Sequence, residues 1–333
     1  MAEFAIGVDL GGTNLRIAAV DAEGKLLAKV TLGTEVGRGR EAVVGEMSRA
    51  VAEMRERFLG TGEFCGVGVG VPGLIDSETG RLVESPNLPG WEDYDVKGDI
   101  ERRLGTTVIL ENDANVAAMG EKWLGAGRNS ESLCMYTMGT GVGGGLILDG
   151  RLWRGWNGMA GELGHCNVEP AGYQCGCGSH GCLEQYASAT AVVRMAREAM
   201  EGGAATELRA VKELSSLAVY ECAMGGDSVA KGVFERVGRA LGLAIASMVN
   251  AMNIPLFVIG GGASSGWDAF APAMFDEVRK RSYIYANTTA EDGTGIGGRK
   301  RVTVIARAQL GGDGGLYGAA RMPMMQAAGN KGQ

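Results

Sequence analysis

A strand, a glycine turn and a return strand occur twice in this chain, and that duplication narrows the fold more than any other feature. In the first copy the apolar run Phe4 to Asp9 turns at Gly11-Gly12 and returns as Asn14 to Val20. In the second, Leu133-Cys134-Met135-Tyr136-Thr137 turns at Gly139-Thr140-Gly141 and returns as Gly143 to Leu148. Short apolar runs joined by glycine read as hairpins, and two stacked copies would face their turns toward one cleft. Elsewhere Val43, Val44, Met47, Val51, Met54 and Phe58 share one face of a helix over Arg40 to Phe58. Val67, Val69 and Val71 form a strand ended by Pro72-Gly73. Val108-Ile109-Leu110 forms another, followed by a helix from about Ala114 to Leu124. Strands alternating with helices predict an α/β layered fold.

The remaining segments are less patterned. Leu241 to Ile259 is the most apolar stretch, but Ser247, Asn250, Asn253 and Pro255 interrupt it. It reads as a buried helix and a strand, not a membrane span. Gly202 to Lys231 reads as mainly helical with a loop near Gly225-Gly226, Gly293–Gly298 as an exposed flexible loop, and the tail after about Pro323 as frayed.

Several clusters carry chemistry. Glycine is abundant, 57 of 333 residues, which points to backbone approaching a ligand. Asp9-Leu10-Gly11-Gly12-Thr13 ends a strand; its N–H groups suit phosphate oxygens, and Asp9 suits a water-bound Mg²⁺. An ordinary hairpin would also explain it, but a second loop, Gly139-Thr140-Gly141-Val142-Gly143, stands at the matching position. The net charge of −7 argues against a nucleic-acid binder, yet leaves room for an anion held by local N–H groups. Asn112-Asp113 closes a strand and opens a helix. Asp113 is either a helix cap or a carboxylate placed to accept a proton from an attacking hydroxyl.

Seven cysteines, three of them within Cys175–Cys182, suit a metal site in a reducing cytoplasm better than a disulfide framework. With His165 they make a Cys₃His zinc donor set, His180 being a rival ligand. Glu162 and Glu184 flank this set, as solvated charges or as polar ligands held by a rigid scaffold. Phe257-Val258-Ile259 runs into Gly260-Gly261-Gly262, where a flat ring can approach the backbone or the chain simply turns.

Together these residues resemble the ROK family of bacterial repressors and sugar kinases, within the wider actin, Hsp70 and hexokinase superfamily. The resemblance runs from about Ile6 to Arg321. Its most specific elements are G-E-L-G-H at Gly161–His165 and C-x-C-G-x-x-G-C-x-E at Cys175–Glu184, with Glu111-Asn-Asp-Ala-Asn115 in support. It implies an α/β architecture of two ribonuclease-H-like domains around a cleft. The first would comprise residues 1–112 plus 315–333, the second 113–314.

By the same resemblance Asp9, Gly11, Gly12 and Thr13 form the first phosphate loop. Thr137, Gly139, Thr140, Gly141 and Gly143 form the second, and Gly260, Gly261 and Gly262 the adenosine loop. Asp113 matches the catalytic base. Asn87, Asn112, Asp113, Glu162, His165 and Glu184 match positions that bind sugar hydroxyls, with His165 giving one ring nitrogen to zinc and one to sugar. Zinc would be held by His165, Cys175, Cys177 and Cys182. Asn14 departs from the lysine of many relatives.

The expected activity is transfer of the γ-phosphoryl group of Mg·ATP to the 6-hydroxyl of glucose, in the cytoplasm, by a homodimer or higher homo-oligomer. Other hexoses and a polyphosphate donor are the alternatives. The family's repressors carry a helix-turn-helix ahead of the kinase-like body; here the first loop begins at Asp9 and the chain is acidic, so a kinase is expected.

Overall fold

The computed structural model describes residues 3–76, 78–288 and 302–331. The Gly293–Gly298 loop expected from the sequence lies outside these residues.

The first stretch gives β1 (Glu3–Leu10), β2 (Asn14–Asp21), β3 (Leu26–Gly33), α1 (Arg40–Phe58), β4 (Glu63–Val71), β5 (Leu74–Asp76), β6 (Arg81–Glu84), α2 (Val96–Leu104), β7 (Val108–Asn112) and α3 (Asp113–Trp123). The middle gives β8 (Leu133–Met138), β9 (Val142–Leu148), β10 (Arg151–Leu152), α4 (Glu184–Ala187), α5 (Ala189–Glu201), α6 (Ser216–Gly225) and α7 (Ser228–Met252). The last gives β11 (Leu256–Gly260), α8 (Trp267–Arg281), α9 (Tyr283–Thr288), β12 (Val304–Arg307) and α10 (Gly314–Lys331).

Two five-stranded sheets form, in orders β3-β2-β1-β4-β7 and β10-β9-β8-β11-β12. In each, a hairpin occupies one side and two later strands join parallel on the other. The duplication visible as two hairpins therefore extends to whole sheets. Among the described residues no helix is long and apolar enough to cross a membrane.

The chain divides into two compact units: Met1–Glu131, Gly145–Gly161 and Gln309–Gln333 in the first, Ser132–Gly144 and Glu162–Ala308 in the second. The division passes through β9. A boundary at residue 112 would leave α3 in the second domain. Instead α3 packs on α10 in the first unit, where Gly120 lies against the Gly314 backbone and Gly318 against the Val116 carbonyl.

In the first unit α1 covers one face of the sheet, burying Val44, Met47 and Val51 with Ile6, Val8, Ile17 and Val69. On the other face Leu316, Ala320 and Met324 of α10 pack with Ala5, Ala18 and Val20. The tail after Pro323 is thus not frayed: the helix runs to Lys331 with Met322 and Met324 buried. Pro323 has no N–H for the Ala319 carbonyl, and that carbonyl lies against the backbone of Gly68, where a Cβ would come within 1.9 Å. In the second unit the helix and strand read within Leu241–Ile259 are the end of α7 and β11. The buried face of α7, including Val237, Leu241 and Ile245, belongs to a helical layer with α8.

Candidate active site

Strand register positions the candidate residues of the first unit. In the parallel run β1, β4, β7, Asp9 is level with Gly70 and Gly70 with Glu111. Asp9 and the Asn112-Asp113 pair therefore stand at the carboxyl ends of β1 and β7, on either side of β4, at the edge where α/β sheets bind ligands. The Gly11–Thr13 turn is closed by Gly11 N–H donating to the Asn14 carbonyl at 2.9 Å. Thr34 braces it, its hydroxyl on the Gly11 carbonyl at 2.6 Å and its N–H on the Thr13 carbonyl at 2.9 Å. Asn87 lies against Gly12, where a Cβ would be 3.0 Å from the Asn87 carbonyl oxygen.

The helix cap at the start of α3 is Asn112. Its side-chain oxygen accepts from the N–H of Ala114 at 2.9 Å and of Asn115 at 3.2 Å, and its amide donates to the Gly73 carbonyl at 3.1 Å. Capping therefore does not account for Asp113, which is the first residue of the helix and accepts from the Ala114 N–H.

In the second unit the ligand atoms of His165, Cys175, Cys177 and Cys182 all lie within 4.8 Å of one another. His165 Nδ1 is 3.6 Å from Cys175 Sγ, and the Cys177 and Cys182 sulfurs are 3.7 Å apart. A tetrahedral zinc with arms of about 2.3 Å to sulfur needs edges of about 3.8 Å, so the donors fit that ion. His180 stays outside the group, at an exposed turn. With Nδ1 on the cysteine side, His165 Nε2 lies 3.9 Å from a Glu162 oxygen, as expected for residues three apart in the 3₁₀ turn Leu163–His165. Burial and the Glu184 carboxylate push the Glu162 carboxyl above its usual range, against the pull of His165.

The second glycine loop joins β8 to β9, and Thr137 at the end of β8 is level with Gly260 at the end of parallel β11. Gly261, at φ 83°, lies so close to Met138 that a Cβ would be 2.4 Å from the Met138 carbonyl oxygen. The two loops thus share the carboxyl edge of one sheet.

A model of the ROK family matches residues 5–324. The chain belongs to the ROK family. It is 40% identical over 272 residues to the glucokinase of Thermotoga maritima, covering 80% of this chain and 84% of that protein. The ROK hexokinase of Thermus thermophilus matches with TM-score 0.79 at 32% identity, over 98% of this chain and 99% of that one. A ROK glucokinase of Streptomyces griseus, solved with glucose and AMPPNP, matches with TM-score 0.78 at 34% identity, over 97% and 99%.

The ROK sheet edge also carries residues that the sequence reading missed. Glu111 is buried and accepts from Arg154 Nε at 2.6 Å, Asn115 Nδ2 at 3.0 Å and the Asn112 N–H at 3.0 Å. It fixes the junction that carries Asp113. The run Gly311-Gly312-Asp313-Gly314-Gly315 abuts Asp9: a Cβ on Gly315 would lie 3.1 Å from the Asp9 carboxyl carbon, and Arg16 reaches both Asp9, at 3.6 Å, and the Gly312 carbonyl. Four glycines around one acid were the available signal.

Burial raises the Asp9 carboxyl above the usual aspartate range, helped by Asp313 and opposed by Arg16. The folded state thus holds this proton more tightly than the unfolded one, so stability falls as pH rises from the ordinary aspartate pKa through the folded value. Asp9→Asn removes that penalty. Thermal melts should show the variant more stable than the parent at pH 7.5, with the gain shrinking as pH falls toward 4. A less stable variant at pH 7.5 would overturn the assignment.

Proposed function

We propose that this chain is a glucokinase that moves the γ-phosphoryl group of Mg·ATP to the 6-hydroxyl of glucose. The observation that carries the reading is the Streptomyces griseus glucokinase, which was solved with glucose and AMPPNP and matches nearly the whole chain. The local chemistry supports it. Asp113 takes the proton from O6 as O6 attacks the γ-phosphorus; the bond from that phosphorus to the bridging oxygen breaks, and ADP leaves. By the family resemblance Asn87, Asn112, Glu162, His165 and Glu184 bind the sugar hydroxyls.

Gly11–Thr13 and Gly139–Gly143 take the phosphates through backbone N–H groups, and Gly260–Gly262 takes the adenosine. Asp9 holds Mg²⁺, whose charge offsets that of the phosphate oxygens. His165, Cys175, Cys177 and Cys182 hold one zinc, structural and orienting because protein groups fill all four positions. The reduced thiols of that set suit the cytoplasm. A homodimer or higher homo-oligomer follows from the family resemblance.

The test is kcat/KM across glucose, mannose, fructose, N-acetylglucosamine and N-acetylmannosamine, with Mg·ATP and with polyphosphate. A site that pairs each hydroxyl penalises an epimer by roughly 1–3 kcal/mol, about 5- to 150-fold in rate. Glucose with Mg·ATP should lead. Another sugar in front would remove glucose, and faster turnover with polyphosphate would remove the ATP assignment.

A further inference from the structure

Glu184 makes a contact that sugar binding does not require. Its Oε2 accepts the N–H of Val142, in the second glycine loop, at 3.0 Å. Gly141 leaves the space for that oxygen: a Cβ there would sit 2.2 Å from it. The loop is held at further points by the chain on either side of the metal donors. Ala189 N–H donates to the Gly139 carbonyl at 2.8 Å, and the Thr190 hydroxyl donates to the Thr140 carbonyl at 2.8 Å. The backbone of Gly164, one residue before His165, lies against the Val142 carbonyl, where a Cβ would be 1.8 Å from the oxygen. Gly139 N–H closes the turn on the Gly141 carbonyl at 2.9 Å. Among the described residues no hydrogen bond engages the N–H groups of Thr140 and Gly141. A turn fixed at its carbonyls and at Val142, with these two donors remaining, is shaped to receive an anion.

We infer that Glu184 is a positioning residue for the second phosphate loop, so that the carboxylate expected to bind sugar also sets the loop's nucleotide affinity. The inference rests on the kinase reading above and adds to it a role independent of sugar. Glu184 stands two residues after Cys182 and is placed by the same backbone that presents the thiols, its neighbour Leu183 donating N–H to the Cys166 carbonyl at 2.9 Å. The loop needs only an acceptor oxygen at this point, which a glutamine retains and an alanine does not. Glu162, by contrast, faces His165 and has no hydrogen bond to the loop.

The experiment titrates Mg·ADP by calorimetry, without sugar, into the zinc-loaded full chain and its Glu184→Gln, Glu184→Ala, Glu162→Ala and Gly141→Ala variants, with zinc content measured for each. Glu184→Ala should weaken Mg·ADP about tenfold, the scale of a lost hydrogen bond to a charged group. Glu184→Gln should stay within about twofold of the parent, because an amide oxygen still accepts the Val142 N–H. Gly141→Ala attacks the same contact from the loop and leaves the metal donors untouched, and it should also weaken binding. Glu162→Ala should match the parent. If the parent binds Mg·ADP and Glu184→Ala binds it equally well, or if Glu162→Ala loses as much, the positioning role is overturned and the kinase reading stands. A parent that binds no Mg·ADP removes both.

Discussion

Asp113→Ala is expected to lower kcat for glucose phosphorylation by about 10²–10⁴-fold, the range for removing a general base from the reacting proton. Glucose affinity should fall much less, because the other sugar-binding groups remain, so the loss divides toward kcat and away from KM. The prediction is clean because the helix does not depend on Asp113. Asn112 holds the cap through the N–H groups of Ala114 and Asn115, and Glu111 is held from three sides at the junction. Melting temperature should therefore move little, and Asp113→Asn should lose turnover equally while keeping the shape of the side chain. Turnover near that of the parent in both variants, measured by coupled assay, would return Asp113 to a structural role.

Cys177→Ser should remove the metal and most of the glucose affinity together. Serine is a poor zinc donor in place of a thiolate, and three remaining ligands cannot close a tetrahedral structural site. The loss should spread because the proposed sugar groups share the frame of the donors: His165 Nδ1 faces Cys175 while Nε2 faces Glu162, and Gln185 Nε2 contacts Cys175 Sγ at 3.8 Å. Changes around metal ligands commonly cost about 10–100-fold in metal affinity or activity, and a glucose KM raised by about tenfold or more is expected. Elemental analysis should give one zinc per chain in the parent and well below one in the variant. A zinc-free protein that keeps full activity would sink the scaffold role.

Much of the architecture was legible because its signals are local. The α1 face, the two glycine hairpins and the strand leading to Gly260 each sit within one short window, and α1 spans Arg40–Phe58 as its apolar spacing predicts. What escaped depends on partners distant in sequence. Glu111 and Arg154 are 43 residues apart. Glu121, buried in α3, accepts the N–H groups of Gln309 and Leu310, which are 188 and 189 residues away. No periodicity announces such pairs. The cap was misjudged for another reason: Asn112 and Asp113 are both good cap residues, and the choice between them follows from β7 ending at Asn112. The tail after Pro323 was expected to fray, and burial of Met324 against the sheet outweighed that local expectation.

The packing of α10 on the first sheet has a consequence for how the protein is made. β1, β2 and β4 are complete by Val71, yet the helix that covers one face of them begins only at Gly314. At roughly 5–20 residues per second, that face waits on the order of 12–50 s of synthesis for its cover. Until then the alanines and valine that will meet Leu316 and Met324 lack those two neighbours. A sheet made well before its covering helix is thus among the last parts of its unit to finish folding.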